Sequence, residues 1–79
     1  MSADTFLVLT VIGDDRPGLV GELSAAIAAH QGNWLESSMS PLAGKFAGIV
    51  RVAVPDGQAG ALQAALGRLS ALKVTAESS

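Results

Sequence analysis

Cysteine is absent from this chain, and histidine occurs once, at position 30. The first absence excludes disulfides and thiolate metal sites, and the second leaves too few ligands for a conventional zinc centre. No cofactor is expected. Charge is also scarce: 15% of the residues are Asp, Glu, Lys or Arg, the net charge is −2, and the five cations are scattered from Arg16 to Lys73. That distribution lacks the basic footprint that direct nucleic-acid binding requires. The longest apolar run in the first strand segment is Phe6 to Leu9, against roughly 20 residues for a membrane-spanning helix. Met1-Ser2-Ala3-Asp4 has neither the basic start nor the apolar core of a secretory signal. A cytoplasmic location without membrane contact is therefore expected.

What the chain does have is apolar surface. Hydrophobic residues make up 49% of its 79 positions, and the mean hydropathy is +0.44. This length supports one domain and one small core. A small core surrounded by that much apolar side chain points to a subunit or domain partner.

Hydrophobic periodicity divides the chain into six elements. Thr5 to Ile12 is almost continuously apolar and β-branched, the pattern of a strand buried on both faces. Pro17 suits the first position of a helix. From there Leu19, Leu23, Ala26, Ile27 and His30 recur at helical spacing over about four turns. Gly32 is expected as the left-handed cap that stops this helix, with His30 interacting with the last carbonyls.

Trp34 to Leu42 reads as an edge strand, with serines on both faces and Pro41 near its end. A looser alternation sets Leu35, Ser37, Met39 and Pro41 against Trp34, Glu36, Ser38, Ser40 and Leu42. Trp34 is expected to be a packing residue. After a short connection at Ala43-Gly44-Lys45, Phe46, Gly48, Val50, Val52 and Val54 share one face of a central strand. Asp56 or Gly57 is placed to cap a second helix from about Gln58 to Leu69, and Leu72 to Thr75 closes the pattern as a short strand.

The order βαββαβ with right-handed crossovers gives an α+β, ferredoxin-like domain: a four-stranded antiparallel sheet with both helices on one face. The other face would carry Ala47, Ile49 and Ala53 among its residues. That face or a sheet edge is expected to be covered by another subunit or domain. Side-by-side and face-to-face sheet packing both fit the pattern.

The chemistry concentrates at Gly13-Asp14-Asp15-Arg16-Pro17-Gly18-Leu19, where a strand turns tightly into a helix. Free amides of Gly18, Leu19 and Val20 can receive a carboxylate. Asp14, Asp15 and nearby carbonyls can receive an ammonium, so the two halves match a zwitterionic amino acid. Gly18 lets a ligand approach the backbone. The same aspartates could instead simply cap the helix, and Arg16 could be a solvated surface cation. Asn33 is a second candidate, or a residue that shapes the turn into the edge strand. It lies at the far end of the first helix, so only a neighbouring domain could bring it to the turn. Ser37, Ser38 and Ser40 have no base partner in the pattern, and the glycines around Lys45 do not form a phosphate loop. The chain is read as a non-enzyme.

Over essentially its whole length this sequence resembles an ACT domain. Within that family, Gly13-Asp14-Asp15-Arg16-Pro17-Gly18-Leu19-Val20, Gly32-Asn33-Trp34-Leu35-Glu36-Ser37-Ser38-Met39 and Ala43-Gly44-Lys45-Phe46-Ala47-Gly48 look like the first ACT domain of glycine cleavage system transcriptional repressors. The resemblance implies an amino-acid ligand, glycine or serine by analogy. Such a ligand would be held between Asp15, Arg16, Gly18 and Leu19 of one domain and Asn33 of a neighbour. Repressors of this kind carry two ACT domains, so a homodimer or a second ACT domain would supply the other half. A regulated partner protein is implied as well. The competing expectation is an interaction or oligomerisation module with no small-molecule ligand.

Overall fold

The computed structural model describes residues 3–15 and 18–78. The elements follow the order β1 (Asp4–Asp14), α1 (Leu19–Ala29), β2 (Asn33–Leu42), β3 (Lys45–Pro55), α2 (Asp56–Gly67) and β4 (Leu72–Ser78). The strands form one antiparallel sheet in the order β2-β3-β1-β4, the expected ferredoxin-like arrangement. No described helix is long and apolar enough to cross a membrane.

The core lies on one side of the sheet. Leu7, Leu9 and Val11 of β1 and Val50, Val52 and Val54 of β3 are buried, and they cluster with Leu19, Leu23 and Ile27 of α1 and Leu62 and Leu66 of α2. Burying one such side chain fully is worth about 1.5–3 kcal/mol, so this layer is the main source of stability. The face shared by Phe46, Val50, Val52 and Val54 is the buried one, as β3's alternation predicts.

β1 is one-sided, contrary to the reading of two buried faces: Phe6 is 39% exposed and Ile12 45%. Both helices pack on the other side, so no described helix covers them, and the Arg51 guanidinium lies over the Phe6 ring, 4.9 Å from its centroid. Ala53 also departs from its expected exposure and is buried, with Phe6 and Asn33 as its register partners.

In β2 the register shifts between Trp34 and Glu36. One extra residue, Leu35, turns the strand, so Trp34 shares the core side with Met39 instead of following strict alternation. Trp34 packs against the core as expected.

The helix ends differ from the sequence reading by a few residues, each for a local reason. Helix α1 begins at Leu19 rather than Pro17, because Gly18 stands at φ 91° and cannot be helical. It spans 11 residues, about three turns rather than four. At its far end the left-handed residue is Gln31, at φ 61°, and not Gly32. Gln31 N–H donates to the Ala28 carbonyl at 3.0 Å and Gly32 N–H to the Ile27 carbonyl at 2.9 Å, the two bonds of a Schellman motif. Glycine is needed at 32 for space: a Cβ there would lie 2.7 Å from Ile27 Cγ2 and 2.9 Å from the Ile27 carbonyl oxygen.

Helix α2 starts at Asp56 and ends at Gly67, with Pro55 before it and no side-chain cap. Neither Asp56 nor Gly57 caps it as expected. The Asp56 carboxylate accepts a hydrogen bond from the Thr5 hydroxyl at 2.5 Å instead, tying α2 to β1. β4 is longer than the expected Leu72 to Thr75 and runs to Ser78.

Two glycine substitutions separate space from backbone freedom. Gly48→Ala would place a Cβ 2.2 Å from the Ser38 carbonyl oxygen and 2.6 Å from Met39 Cα, forcing β2 off β3. We expect it to cost about 2 kcal/mol or more. Gly60 of α2 has open space around it, so Gly60→Ala should stabilise by about 0.5–1 kcal/mol. Urea unfolding of the two variants should move the midpoint in opposite directions.

Candidate functional site

β1 ends beside the β2–β3 hairpin, and this places the candidate turn. Asp15 N–H donates to the Gly44 carbonyl at 2.9 Å. One residue earlier, the carboxylate of Asp14 pairs with the ammonium of Lys45, its register partner on β3. Both side chains are largely exposed, and such pairs contribute about 0–1 kcal/mol. The hairpin itself is a two-residue turn at Ala43 and Gly44, both at positive φ, the combination that matches the twist of paired strands.

At Gly18 the chain turns through the left-handed region. The Gly18 carbonyl accepts the Glu22 N–H at 2.9 Å, which starts α1, and among the described residues no side chain caps the helix. The first-turn amides of an α-helix have no intrahelical carbonyl to bond, and they carry the positive end of the helix dipole. A Cβ at Gly18 would meet nothing within 4 Å, so this backbone is open to approach. Leu19 is only 2% exposed; its side chain anchors the helix in the core, leaving its amide for any ligand contact. Asp14 pairs with Lys45, and Asp15 is exposed. Arg16 and Pro17, the remaining candidates of the turn, lie outside the described residues.

A depression of about 380 Å³ adjoins this end of the sheet, lined by Ile12, Gly13, Asp14, Lys45, Ala71 and Lys73 among others. Gly13 is fixed by close packing, since a Cβ would sit 2.6 Å from Leu72 Cδ2 and 2.9 Å from the Ala71 carbonyl oxygen. Lys45, Ala71 and Lys73 were not legible as neighbours of the turn. They reach it through strand register and the α2–β4 connection, which no local motif announces.

Asn33 is exposed at the opposite end of the sheet, where it pairs with Ala53, and Ala53 pairs with Phe6. From Phe6 to Asp14 along β1 the distance is about 27 Å. Within one chain Asn33 and the turn are thus far apart, as expected. His30 Nδ1 lies 2.8 Å from the Ala26 carbonyl oxygen, consistent with a helix-end role. Among the described residues no group of three or more His, Cys, Asp or Glu side chains could hold a metal ion.

The family model described as ACT domain matches residues 5–77. The chain belongs to the ACT domain family. A comparison with curated proteins returned no match. Among solved structures, this ACT domain is similar to a protein of unknown function from Galdieria sulphuraria, at 28% identity and a TM-score of 0.80, covering 98% of this chain and 46% of that one. It superposes with a TM-score of 0.87 on a protein assigned as a glycine cleavage system transcriptional repressor, at 20% identity, covering 99% of this chain and 47% of that one. The ACT domain of GTP pyrophosphokinase from Chlorobium tepidum has a TM-score of 0.72 at 17% identity, covering 98% of this chain and all of that one. The chain therefore spans about half the length of the Galdieria protein and of the repressor.

The geometry separates strain from charge at the ACT turn. Gly18→Ala meets no neighbour but must hold a side chain at φ 91°, and should cost about 1–2 kcal/mol in thermal or urea unfolding. Lys45→Ala should cost less than about 1 kcal/mol, an effect that disappears at high salt.

Proposed function

We propose that this ACT domain is a regulatory module that binds a small amino acid, glycine- or serine-like, at an interface between two domains. The carboxylate would lie on the first amides of α1, where the dipole and the unfilled donors favour an anion. The ammonium would lie toward Asp15. Arg16 and Pro17 complete the turn in sequence. Asn33 of a second copy, or of a second ACT domain in a longer chain, would close the site.

The observation that carries this reading is the pairing of an uncapped, open helix start with an edge strand that begins at Asn33. β2 has a free edge within the described chain. A two-fold axis normal to the sheet would pair β2 with its copy, antiparallel. The Asn33 end of one strand would then come beside the Leu42 end of the other. That is also the end at which Asp15 is bonded to Gly44. The ligand would thus report on whether two domains are together, which is how a module without catalytic groups can regulate a partner. Control of glycine cleavage through a partner protein fits the low, scattered positive charge better than direct contact with DNA.

Titration calorimetry with glycine and serine, followed by the other proteinogenic amino acids, tests the proposal. Ligand at about ten times its Kd should stabilise the domain by about 1.4 kcal/mol and raise its Tm by roughly 6–10 °C. Asp15→Ala and Asn33→Ala should each weaken binding about tenfold or more, as expected for hydrogen bonds to a charged ligand. Heat with no amino acid in the set would refute it.

A further inference from the structure

Two of the chain's five cations, Lys45 and Lys73, line the depression of about 380 Å³ at the end of β1. Their neighbours Phe46, Leu72 and Val74 pack on the core, so strand alternation turns both lysines to the side away from the helices. Lys45 stands opposite Asp14 on one flank of β1, and Lys73 stands opposite Ile12 on the other. Two strand spacings and an offset of two residues put their Cα atoms about 12 Å apart. Two flexible four-carbon stems can close that span on a single anion.

The two cations differ in what already holds them. Lys45 pairs with Asp14. Among the described residues no carboxylate lies within ion-pair distance of Lys73. The α2–β4 connection adds neutral donors. Leu72 N–H closes a turn onto the Leu69 carbonyl at 3.3 Å, and the two amides inside that turn, those of Ser70 and Ala71, donate to no carbonyl among the described residues. Both residues line the depression, with the Ser70 hydroxyl beside them and Ile12 and Leu72 as apolar wall.

We infer that this depression is a binding site of its own, for the phosphoryl group of a small molecule. The kind of donor decides the class. A flat carboxylate is held best by the planar fork of arginine, and the described lining contains none. Ammonium groups act as point charges, and together with turn amides and a hydroxyl they surround a tetrahedral anion from several directions. The lining carries two positive charges against one negative, and the negative one is engaged by Lys45. The local balance is therefore positive in a chain whose net charge is −2. The volume falls in the range of small-molecule sites and leaves room for the organic part of a phosphomonoester beside its phosphate. Since α1 lies on the other side of the sheet, this site is separate from the first amides of that helix, and it stands or falls independently of amino-acid binding.

Amide-resolved NMR titration of the full chain tests it, at low salt in a phosphate-free buffer, with inorganic phosphate and phenyl phosphate as probes and chloride at matched ionic strength as the blank. Saturable shifts centred on Ser70, Ala71 and Lys73 are expected. Tighter binding of phenyl phosphate identifies a phosphomonoester as the occupant, and equal binding identifies free phosphate. Lys73 is exposed, so Lys73→Ala leaves the core intact; it should weaken binding about tenfold, as for loss of a hydrogen bond to a charged group, while Lys73→Arg retains most of it. Asp14→Asn frees Lys45 and removes a like charge, so binding should tighten severalfold. Arg51→Ala removes an equal charge elsewhere on the sheet and should change nothing. Affinity should also rise between about pH 5 and pH 7 as the second phosphate proton, with a pKa near 6, is lost. The inference is overturned by the absence of saturable shifts at Ser70 to Lys73, by equal losses in Lys73→Ala and Arg51→Ala, or by benzoate binding as tightly as phenyl phosphate.

Discussion

The rest of this structure depends on the one-sided burial of its two central strands. Leu7, Leu9 and Val11 of β1 stand beside Val50, Val52 and Val54 of β3, and both helices seal that side with Leu19, Leu23, Ile27, Leu62 and Leu66. Crossovers of one hand force α1 and α2 onto the same face. The side that is sealed thus determines which side is left open. The same constraint delivers the end of β1 to the β2–β3 hairpin, where the Asp15 N–H bonds to the Gly44 carbonyl.

A single layer of core has consequences for how the domain can act. With 79 residues, stability comes from few side chains, and the domain retains a bare sheet face and a free strand edge. The candidate turn offers backbone donors and exposed carboxylates, and no group of three or more His, Cys, Asp or Glu side chains among the described residues could hold a metal ion. In the proposed function the turn recognises charge on a small molecule. Since Asn33 lies at the other end of its own sheet, a shared site requires association, and ligand binding would be linked to assembly.

Much of the fold is visible in the sequence because side-chain period records burial directly. The alternation from Phe46 to Val54 identified the buried side of β3, and the Leu19, Leu23, Ile27 stripe identified the inner face of α1. The sequence misled where a local departure breaks the period. The bulge at Leu35 moves Trp34 to the core side, and a bulge leaves no reliable mark in a serine-rich strand. Glycine also misled at the end of α1. Gly32 is there because Ile27 leaves no room for a Cβ, while Gln31 takes the left-handed turn that glycine usually takes.

By itself the sequence determined the element order, the four-stranded antiparallel sheet, and the scarcity of histidine, cysteine and charge. These follow from composition and from contacts a few residues apart. Tertiary structure alone decided that β1 buries one face, that Asp14 is held by Lys45, that Asn33 stands remote from the turn, and that Lys45 and Lys73 line one depression. Those facts depend on strand register, which links residues tens of positions apart through backbone hydrogen bonds and the packing of a common core.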